Sequence, residues 1–399
     1  MKLKHLLCII ILISCITGFY YHAFVGDNLQ YITTHIPGDL MDPLYVVCLY
    51  QWHYQQINNG FNGFWTCPWY YPYERTLTYS EHCFFLGVLA YPAIMATNNP
   101  VLANNIIHYL GYLFTALALY YSCFVFTRSF IAGIICGLFA LFPQQVQSYR
   151  VHLYAFPMVF MFIYLFMKTE RLKYLFLTAL FFMIGFLTSN HVGAYLVIFT
   201  PIWGFCFFIH YKRYRNKKLI AWCMLVAVVM FCVLLPFIIP YIQTSAEMGF
   251  KKHPENLKFY RPDITSYISP NIGAVFYKRL LNKYVSNDAW ITLYKARFKL
   301  FPGFALFILA AIGFAKKYKN VLYPQRVLLV TCMLAFIFSF GAYFYIYGKW
   351  IPNYIYLVPY YCIPGMGRIR ITVRVMMVFY VSLSLLAGFG IQKLLTKEV

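Results

Sequence analysis

Long apolar runs recur along this chain and restrict what it can fold into. Counting runs of about 17 to 25 residues, the length that a helix needs to cross roughly 30 Å of hydrocarbon, gives about ten spans. The runs lie near 5–24, 104–126, 129–146, 153–167, 174–188, 192–210, 219–242, 300–315, 327–346 and 375–393. This pattern predicts an all-α, polytopic membrane protein with one integral membrane domain over residues 1–399.

The composition agrees with a membrane protein. Hydrophobic residues make up 62% of the chain and charged residues only 11%, whereas roughly 25% charged residues are usual in soluble domains. The 33 Lys and Arg against 11 Asp and Glu give a net charge of +22, which in a soluble protein would suggest nucleic acid. Here much of the charge lies in short clusters between apolar runs, so we expect membrane lipids and no nucleic acid as partners.

The short basic clusters set the predicted orientation. If the spans alternate, all these clusters fall on one side, which the positive-inside rule identifies as the cytoplasm. They are Lys2 and Lys4, Arg128, Lys168 to Lys173, Lys212 to Lys218, Lys316 to Lys319, and Lys393 with Lys397. We therefore expect a multi-pass protein of the inner membrane with a cytoplasmic N-terminus. The first run is expected to stay as a span, because no small-x-small cleavage site precedes Gly26.

Two long connections, 25–103 and 243–299, are predicted on the extracytoplasmic side. The first contains two segments that are expected to form helices along the membrane surface, near 43–57 and 80–98. Asp42 followed by Pro43 is a typical helix start, with an acceptor side chain at the cap and proline at the first helical position. The apolar run 82–98 is interrupted by Pro92 and is short for a full span, which favours an interfacial helix.

Several short motifs lie in the first long connection and before the last span. They are Gly26-Asp27-Asn28, Asp42-Pro43 followed by Trp52, Tyr71-Pro72, Thr78-Tyr79-Ser80-Glu81, Asn98-Asn99-Pro100, Asn104-Asn105, Pro364-Gly365 and the arginines 368, 370 and 374. Together they resemble the bacterial GT-C-type integral membrane glycosyltransferases. The resemblance implies a many-spanned helical fold whose first outer loop carries two juxtamembrane helices.

The same resemblance implies a chemistry. The donor would be a sugar linked to a polyprenyl phosphate, the acceptor an extracytoplasmic glycan, lipid or protein, and the reaction would invert the anomeric centre. A carboxylate of the first outer loop would act as general base, because the acceptor hydroxyl loses its proton as it attacks the sugar carbon. Asp42 and Asp27 are the two candidates. Asp42 would lie at a helix N-terminus, where the helix dipole favours the ionised form; the alternative is that Asp42 serves only as a helix cap. The alternative for Asp27 is that it only forms a turn.

Other polar residues of the predicted outer side are candidates for substrate binding. Glu81 and His82 stand side by side and could hold a divalent cation such as Mg²⁺ or Mn²⁺, or orient an acceptor sugar. Glu81 could instead complement a helix dipole. His152 and His191 lie at the ends of predicted spans and could contact the donor phosphate or the sugar, or only anchor the helix ends at the interface.

Three arginines, Arg368, Arg370 and Arg374, precede the last span on the predicted outer side. Arginines in this position depart from the positive-inside tendency. A lipid-linked phosphate or pyrophosphate is a natural partner, since a guanidinium group matches phosphate oxygens with two hydrogen bonds. Contact with anionic lipid head groups uses the same interactions without catalysis.

Two other function classes use the same lipid carrier. A flippase or transporter of lipid-linked glycans would require ionisable residues along a path inside the helix bundle, and apart from His108 the predicted spans carry few. A protein like the O-antigen polymerases or ligases would depend on the outer arginines rather than on the carboxylates of the first loop. The glycosyltransferase is the leading hypothesis.

Overall fold

The computed structural model describes residues 2–26, 28–37, 42–141, 150–249, 253–260, 262, 264–269, 298–314, 322–346, 349–363, 366–369 and 371–396. The chain divides into two compact units. The first consists of Met1–Leu141 and Gln145–Phe250, and the second of Phe142–Gln144 and Lys251–Val399. Each unit is described by itself.

Helices form most of the described residues of the first unit. They are α1 (Lys2–Tyr20, continued by a π-helical turn Tyr21–Val25), α2 (Tyr31–Thr34), α3 (Asp42–Asn58), α4 (Phe84–Thr97), α5 (Pro100–Thr127), α6 (Phe130–Leu138), α7 (Ala155–Thr169), α8 (Leu172–Thr188), α9 (Asn190–His210) and α10 (Lys217–Met248). Short 3₁₀ turns lie at Thr76–Tyr79, Phe139–Leu141 and Arg213–Arg215.

The two helices predicted in the first long connection are confirmed as helices. The prediction of helices near 43–57 and 80–98 corresponds to α3 and α4, which pack on each other and on the start of α5. Their shared core includes Val46, Tyr50 and Leu86, all fully buried. The closest approach is at Gly87, where an added Cβ would stand 2.3 Å from Cγ of His53, so only glycine lets α3 and α4 come this near.

Local capping explains where several helices begin. Asn99 accepts hydrogen bonds from the backbone N–H groups of the first turn of α5, directly before Pro100. Ser189 does the same for α9 and Asn216 for α10. These side chains satisfy N–H groups that have no partner within their helix. Because Ser189 separates α8 from α9 by one residue, the following Asn190 and His191 lie in the first turn of α9.

The second unit is built from α11 (Phe304–Phe314), α12 (Tyr323–Ser339), the antiparallel strands β1 (Tyr343–Ile346) and β2 (Lys349–Pro352), α13 (Tyr354–Cys362) and α14 (Met376–Leu395). Short 3₁₀ turns lie at Pro254–Tyr260, Ile264–Tyr267, Met366–Arg368 and Thr372–Val375. The prediction of a helix over 327–346 extends too far, because its last four residues form β1. Helix α14 is buried along its length against α11 and α12.

Five helices in the described part of the chain are long and apolar enough to cross a membrane. They are Lys2–Val25, Pro100–Thr127, Asn190–His210, Lys217–Met248 and Thr372–Leu395. Each corresponds to one of the predicted spans, which supports an all-α, membrane-embedded protein. The other predicted spans correspond to shorter apolar helices of the described residues, so the count of ten spans and the orientation stay predictions.

Candidate functional site

The candidate site is centred on Asp42, which lies in the first turn of α3. The side chain of Asp42 is 58% exposed, and its Oδ2 accepts a hydrogen bond from Nη2 of Arg150 at 3.5 Å. Arg150 comes from the segment before α7, and its side chain is only 19% exposed. An accessible carboxylate thus lies beside a guanidinium that the protein largely encloses. A long contact of this kind contributes little free energy and can exchange its partner at low cost.

The turn that carries Arg150 is packed on α5. Oγ1 of Thr115 donates to the carbonyl oxygen of Val151 at 2.8 Å. Nε2 of His152 lies 3.1 Å from the carbonyl oxygen of Ile107, so this nitrogen donates and carries the proton. His152 is 1% exposed, which favours a role in supporting the turn of Arg150, while contact between His152 and a substrate stays a prediction.

Glu81 is held by the first turn of α9. Its side chain is 7% exposed. Nδ1 of His191 donates to Oε1 of Glu81, and the backbone N–H of Asn190 donates to Oε2 at 2.5 Å. The N-terminus of α9 favours a negative charge here. The structure therefore brings together Glu81 and His191, two residues that the sequence singled out separately.

A polar stripe near the C-terminal end of α10 holds the chain that leads to Glu81. Its three side chains are spaced three residues apart and so lie on one face of the helix. The pairs are Tyr241 with the carbonyl oxygen of Ser80 at 2.8 Å, Thr244 with Thr78 at 2.8 Å, and Glu247 with Arg75 as an ion pair. Segment 75–80 is therefore bound to α10 at three successive points.

The ring of His82 lies in an aromatic environment, near the rings of Trp65, Phe237 and Tyr241. Its Nδ1 accepts a hydrogen bond from the N–H of Phe84 at 3.0 Å, so Nε2 carries the proton. The ring lies 5.5 Å from that of Phe237. His53, equally buried on α3, donates from Nδ1 to the carbonyl oxygen of Leu49 at 2.6 Å. Both histidines are thus neutral, enclosed side chains.

The predicted cation site at Glu81 and His82 does not fit this geometry. Both oxygens of Glu81 accept hydrogen bonds from α9, and the unprotonated nitrogen of His82 accepts one from Phe84. Mg²⁺ and Mn²⁺ prefer several oxygen ligands. Across the described ranges, no three His, Cys, Asp or Glu side chains come together in an arrangement that could hold a metal ion.

We expect the free energy of unfolding to fall as the pH is lowered from 6.5 to about 4. Burial lowers the pKa of His53 and of His82 from 6.5 to about 4. In this window the unfolded chain binds protons that the folded protein does not, so stabilisation is complete above pH 6.5 and is lost as the pH falls. Thermal unfolding in detergent across this window measures the effect.

The matched variants are His82→Phe and His22→Phe. The first keeps a ring against Phe237 but removes one buried titrating group, so the dependence of unfolding on pH becomes shallower. The second changes an exposed histidine outside this buried pair and is the control. If thermal unfolding depended on pH equally in wild type and His82→Phe, the result would contradict the assignment of the pH dependence to His53 and His82.

An open aromatic groove adjoins His82. It has a volume of ≈ 410 Å³ and is lined by Phe61, Gly63, Phe64, Trp65, Thr66, Phe84, Pro236 and Phe237. Two of these residues belong to α10, one of the helices with the length and composition of a membrane span. The groove is thus an apolar surface next to the polar contacts of segment 75–82.

The other four predicted site residues lie outside the described side chains or in the second unit. Asp27 and Arg370 lie outside the described residues, and for Arg368 only the backbone is described. Arg374 lies in the 3₁₀ turn Thr372–Val375 of the second unit. The roles predicted for these residues stay predictions.

Sequence reasoning missed four residues of the cluster, Arg150, Asn190, Tyr241 and Tyr45. The signal for Arg150 was present, because Arg150 precedes an apolar run on the predicted outer side, as the three later arginines do. Asn190 and Tyr241 gave no local signal, since they act through partners more than fifty residues away in the chain. Tyr45 donates its hydroxyl to the carbonyl oxygen of Glu81 at 3.1 Å, which also depends on the fold.

No protein-family model matches the chain, and no curated protein matches it.

Proposed function

We propose that this chain is an inverting membrane glycosyltransferase that takes its sugar from a polyprenyl-phosphate donor. The proposal depends on one observation, the accessible carboxylate of Asp42 beside the guanidinium of Arg150. A general base and a phosphate-binding cation side by side are the two groups that this transfer requires. The motifs that resemble GT-C glycosyltransferases support the same reading.

In the proposed reaction, Asp42 takes the proton of the acceptor hydroxyl. The hydroxyl oxygen attacks the anomeric carbon as the bond from that carbon to the phosphate oxygen breaks. The products are the glycosylated acceptor, with inverted configuration, and the polyprenyl phosphate. A base in this position must be reachable, and the exposure of Asp42 in the first turn of a 17-residue helix meets this need.

Arg150 would bind the donor phosphate and stabilise the negative charge that the phosphate gains when it leaves the sugar. Its guanidinium can exchange the long contact with Asp42 for two hydrogen bonds to phosphate oxygens. This exchange would release the carboxylate for proton transfer when the donor arrives. The aromatic groove lined by Phe237 of α10 suits the apolar prenyl chain of such a donor.

The test is sugar transfer by the purified protein in lipid vesicles, with labelled polyprenyl-phosphate sugars and released lipid phosphate as readouts. We expect Arg150→Gln to raise KM for the donor by roughly 10- to 100-fold, because a hydrogen bond to a charged group contributes about 1.5 to 3 kcal/mol. Arg150→Lys should recover part of the loss, since lysine keeps the charge but not the paired donors.

Arg215→Gln is the control, because Arg215 is exposed in the 3₁₀ turn between α9 and α10. It should leave transfer unchanged. Absence of transfer with any labelled donor, together with movement of an intact lipid-linked glycan across the vesicle membrane, would replace the proposal with the transporter hypothesis. Normal donor KM in Arg150→Gln would remove Arg150 from the donor site.

A further inference from the structure

Glu81 combines two features that are unusual for a residue that binds a substrate. Its carboxylate is enclosed, and both of its oxygens accept hydrogen bonds from the first turn of α9. The backbone on either side is held as well. The carbonyl oxygen of Ser80 accepts from the hydroxyl of Tyr241 at 2.8 Å and from Nδ2 of Asn190 at 3.3 Å.

A further contact connects Glu81 with the helix of Asp42. The hydroxyl of Tyr45 donates to the carbonyl oxygen of Glu81 at 3.1 Å. Tyr45 lies three residues after Asp42, so the two side chains share one face of the first turn of α3. The hydroxyl of Tyr45 thus links the backbone of Glu81 to the first turn of α3, which carries Asp42.

We propose that Glu81 is a positioning residue, which docks segment 75–81 onto α9 and sets the first turn of α3. In this role the negative charge of Glu81 faces the donors of α9 rather than a substrate or a cation. His191 is its partner and not an independent substrate contact. The kinetic part of this inference depends on the proposed glycosyltransferase activity, whereas the docking part does not.

The docking part can be measured without any assay of activity. Arg75 is the only Lys or Arg between His5 and Thr127, so trypsin has one cleavage site in this stretch. Arg75 is joined to Glu247 of α10, and the chain on its C-terminal side is held by α9 and α10. Cleavage there requires this segment to leave its contacts, and the rate reports the open population when reclosing is fast.

We expect Glu81→Gln to increase the rate of tryptic cleavage at Arg75 in the folded protein by about tenfold, the effect of losing one hydrogen bond to a charged group. An amide offers one acceptor oxygen where the carboxylate offers two, so one α9 donor loses its partner. His191→Ala should act in the same direction. His191→Asn should cleave at nearly the wild-type rate, because the asparagine amide nitrogen can replace Nδ1 as donor.

His210→Ala is the matched control, because His210 ends the same helix α9 and is exposed. It should leave the cleavage rate unchanged. Equal rates for wild type, Glu81→Gln and His191→Ala would overturn the docking role. The comparison of cleavage rates decides the docking role even if the protein transfers no sugar. Absence of sugar transfer would instead contradict the proposed function.

The kinetic arm separates positioning from a structural contact alone. Glu81→Gln and His191→Ala should displace Asp42 and lower kcat by about tenfold to a hundredfold, because small misplacements of reacting groups slow a reaction by such factors. KM for the donor should stay near the wild-type value. His191→Asn should restore kcat. A raised KM with unchanged kcat and unchanged tryptic cleavage would overturn the proposal and make Glu81 a substrate contact.

Discussion

Replacing Asp42 with asparagine should reduce sugar transfer by about 10²- to 10⁴-fold, the usual contribution of a general base. The amide has nearly the same shape as the carboxylate and can remain beside Arg150. It cannot take the proton of the acceptor hydroxyl. We therefore expect kcat to fall while KM for the donor changes little, which steady-state transfer kinetics with a labelled donor would measure.

Glu74→Gln is the control for Asp42→Asn. Glu74 is an exposed carboxylate of the same connection between α1 and α5, so its loss changes the local charge equally without removing the proposed base. Asp27→Asn belongs in the same series, because Asp27 is the other predicted base. Full transfer by both aspartate variants would exclude Asp42 and Asp27 as the base, and loss of activity in Asp27→Asn alone would move the base from Asp42 to Asp27.

Gly390→Ala should destabilise the protein more than alanine at any other glycine of a described helix. An added Cβ at Gly390 of α14 would stand 1.8 Å from the carbonyl oxygen of Leu309 in α11. The obstructing oxygen belongs to the backbone of α11, and no side-chain rotation can move it aside. The two helices would therefore have to separate. Overpacking usually costs about 1 to 3 kcal/mol and occasionally more. Close approach of helices at small residues is typical of membrane proteins.

The control is Gly204→Ala in α9, where no atom beyond its chain neighbours and its own helix backbone lies within 4 Å of the added Cβ. There alanine should leave stability unchanged or raise it by up to about 1 kcal/mol, through its higher helix propensity. Thermal unfolding in detergent compares the two variants. Equal melting temperatures for Gly390→Ala and wild type would contradict the close packing of α11 on α14.

The helices around the candidate site could be predicted because their signals are local. Asp42-Pro43 predicted the start of α3, and the apolar run after His82 predicted α4. A capping side chain, a proline in the first turn and an apolar run act within a few residues of where they stand. The five longest apolar helices follow from their length and composition in the same way.

The partners of the site residues could not be predicted. Glu81 and His82 are neighbours in sequence, which suggested a shared cation, yet their side chains have different surroundings. Glu81 accepts hydrogen bonds from the first turn of α9, whereas His82 lies among aromatic rings next to α10.

The sequence by itself determined that this chain is rich in apolar helices, where α3 and α4 lie, and which carboxylates deserve testing, because periodicity, capping and charge are properties of short stretches. Only the tertiary structure decided that Asp42 lies beside Arg150, 108 residues away, and that Glu81 is paired with His191, 110 residues away. Contacts at that separation depend on how whole helices pack, and packing is set by many buried side chains together rather than by any local pattern.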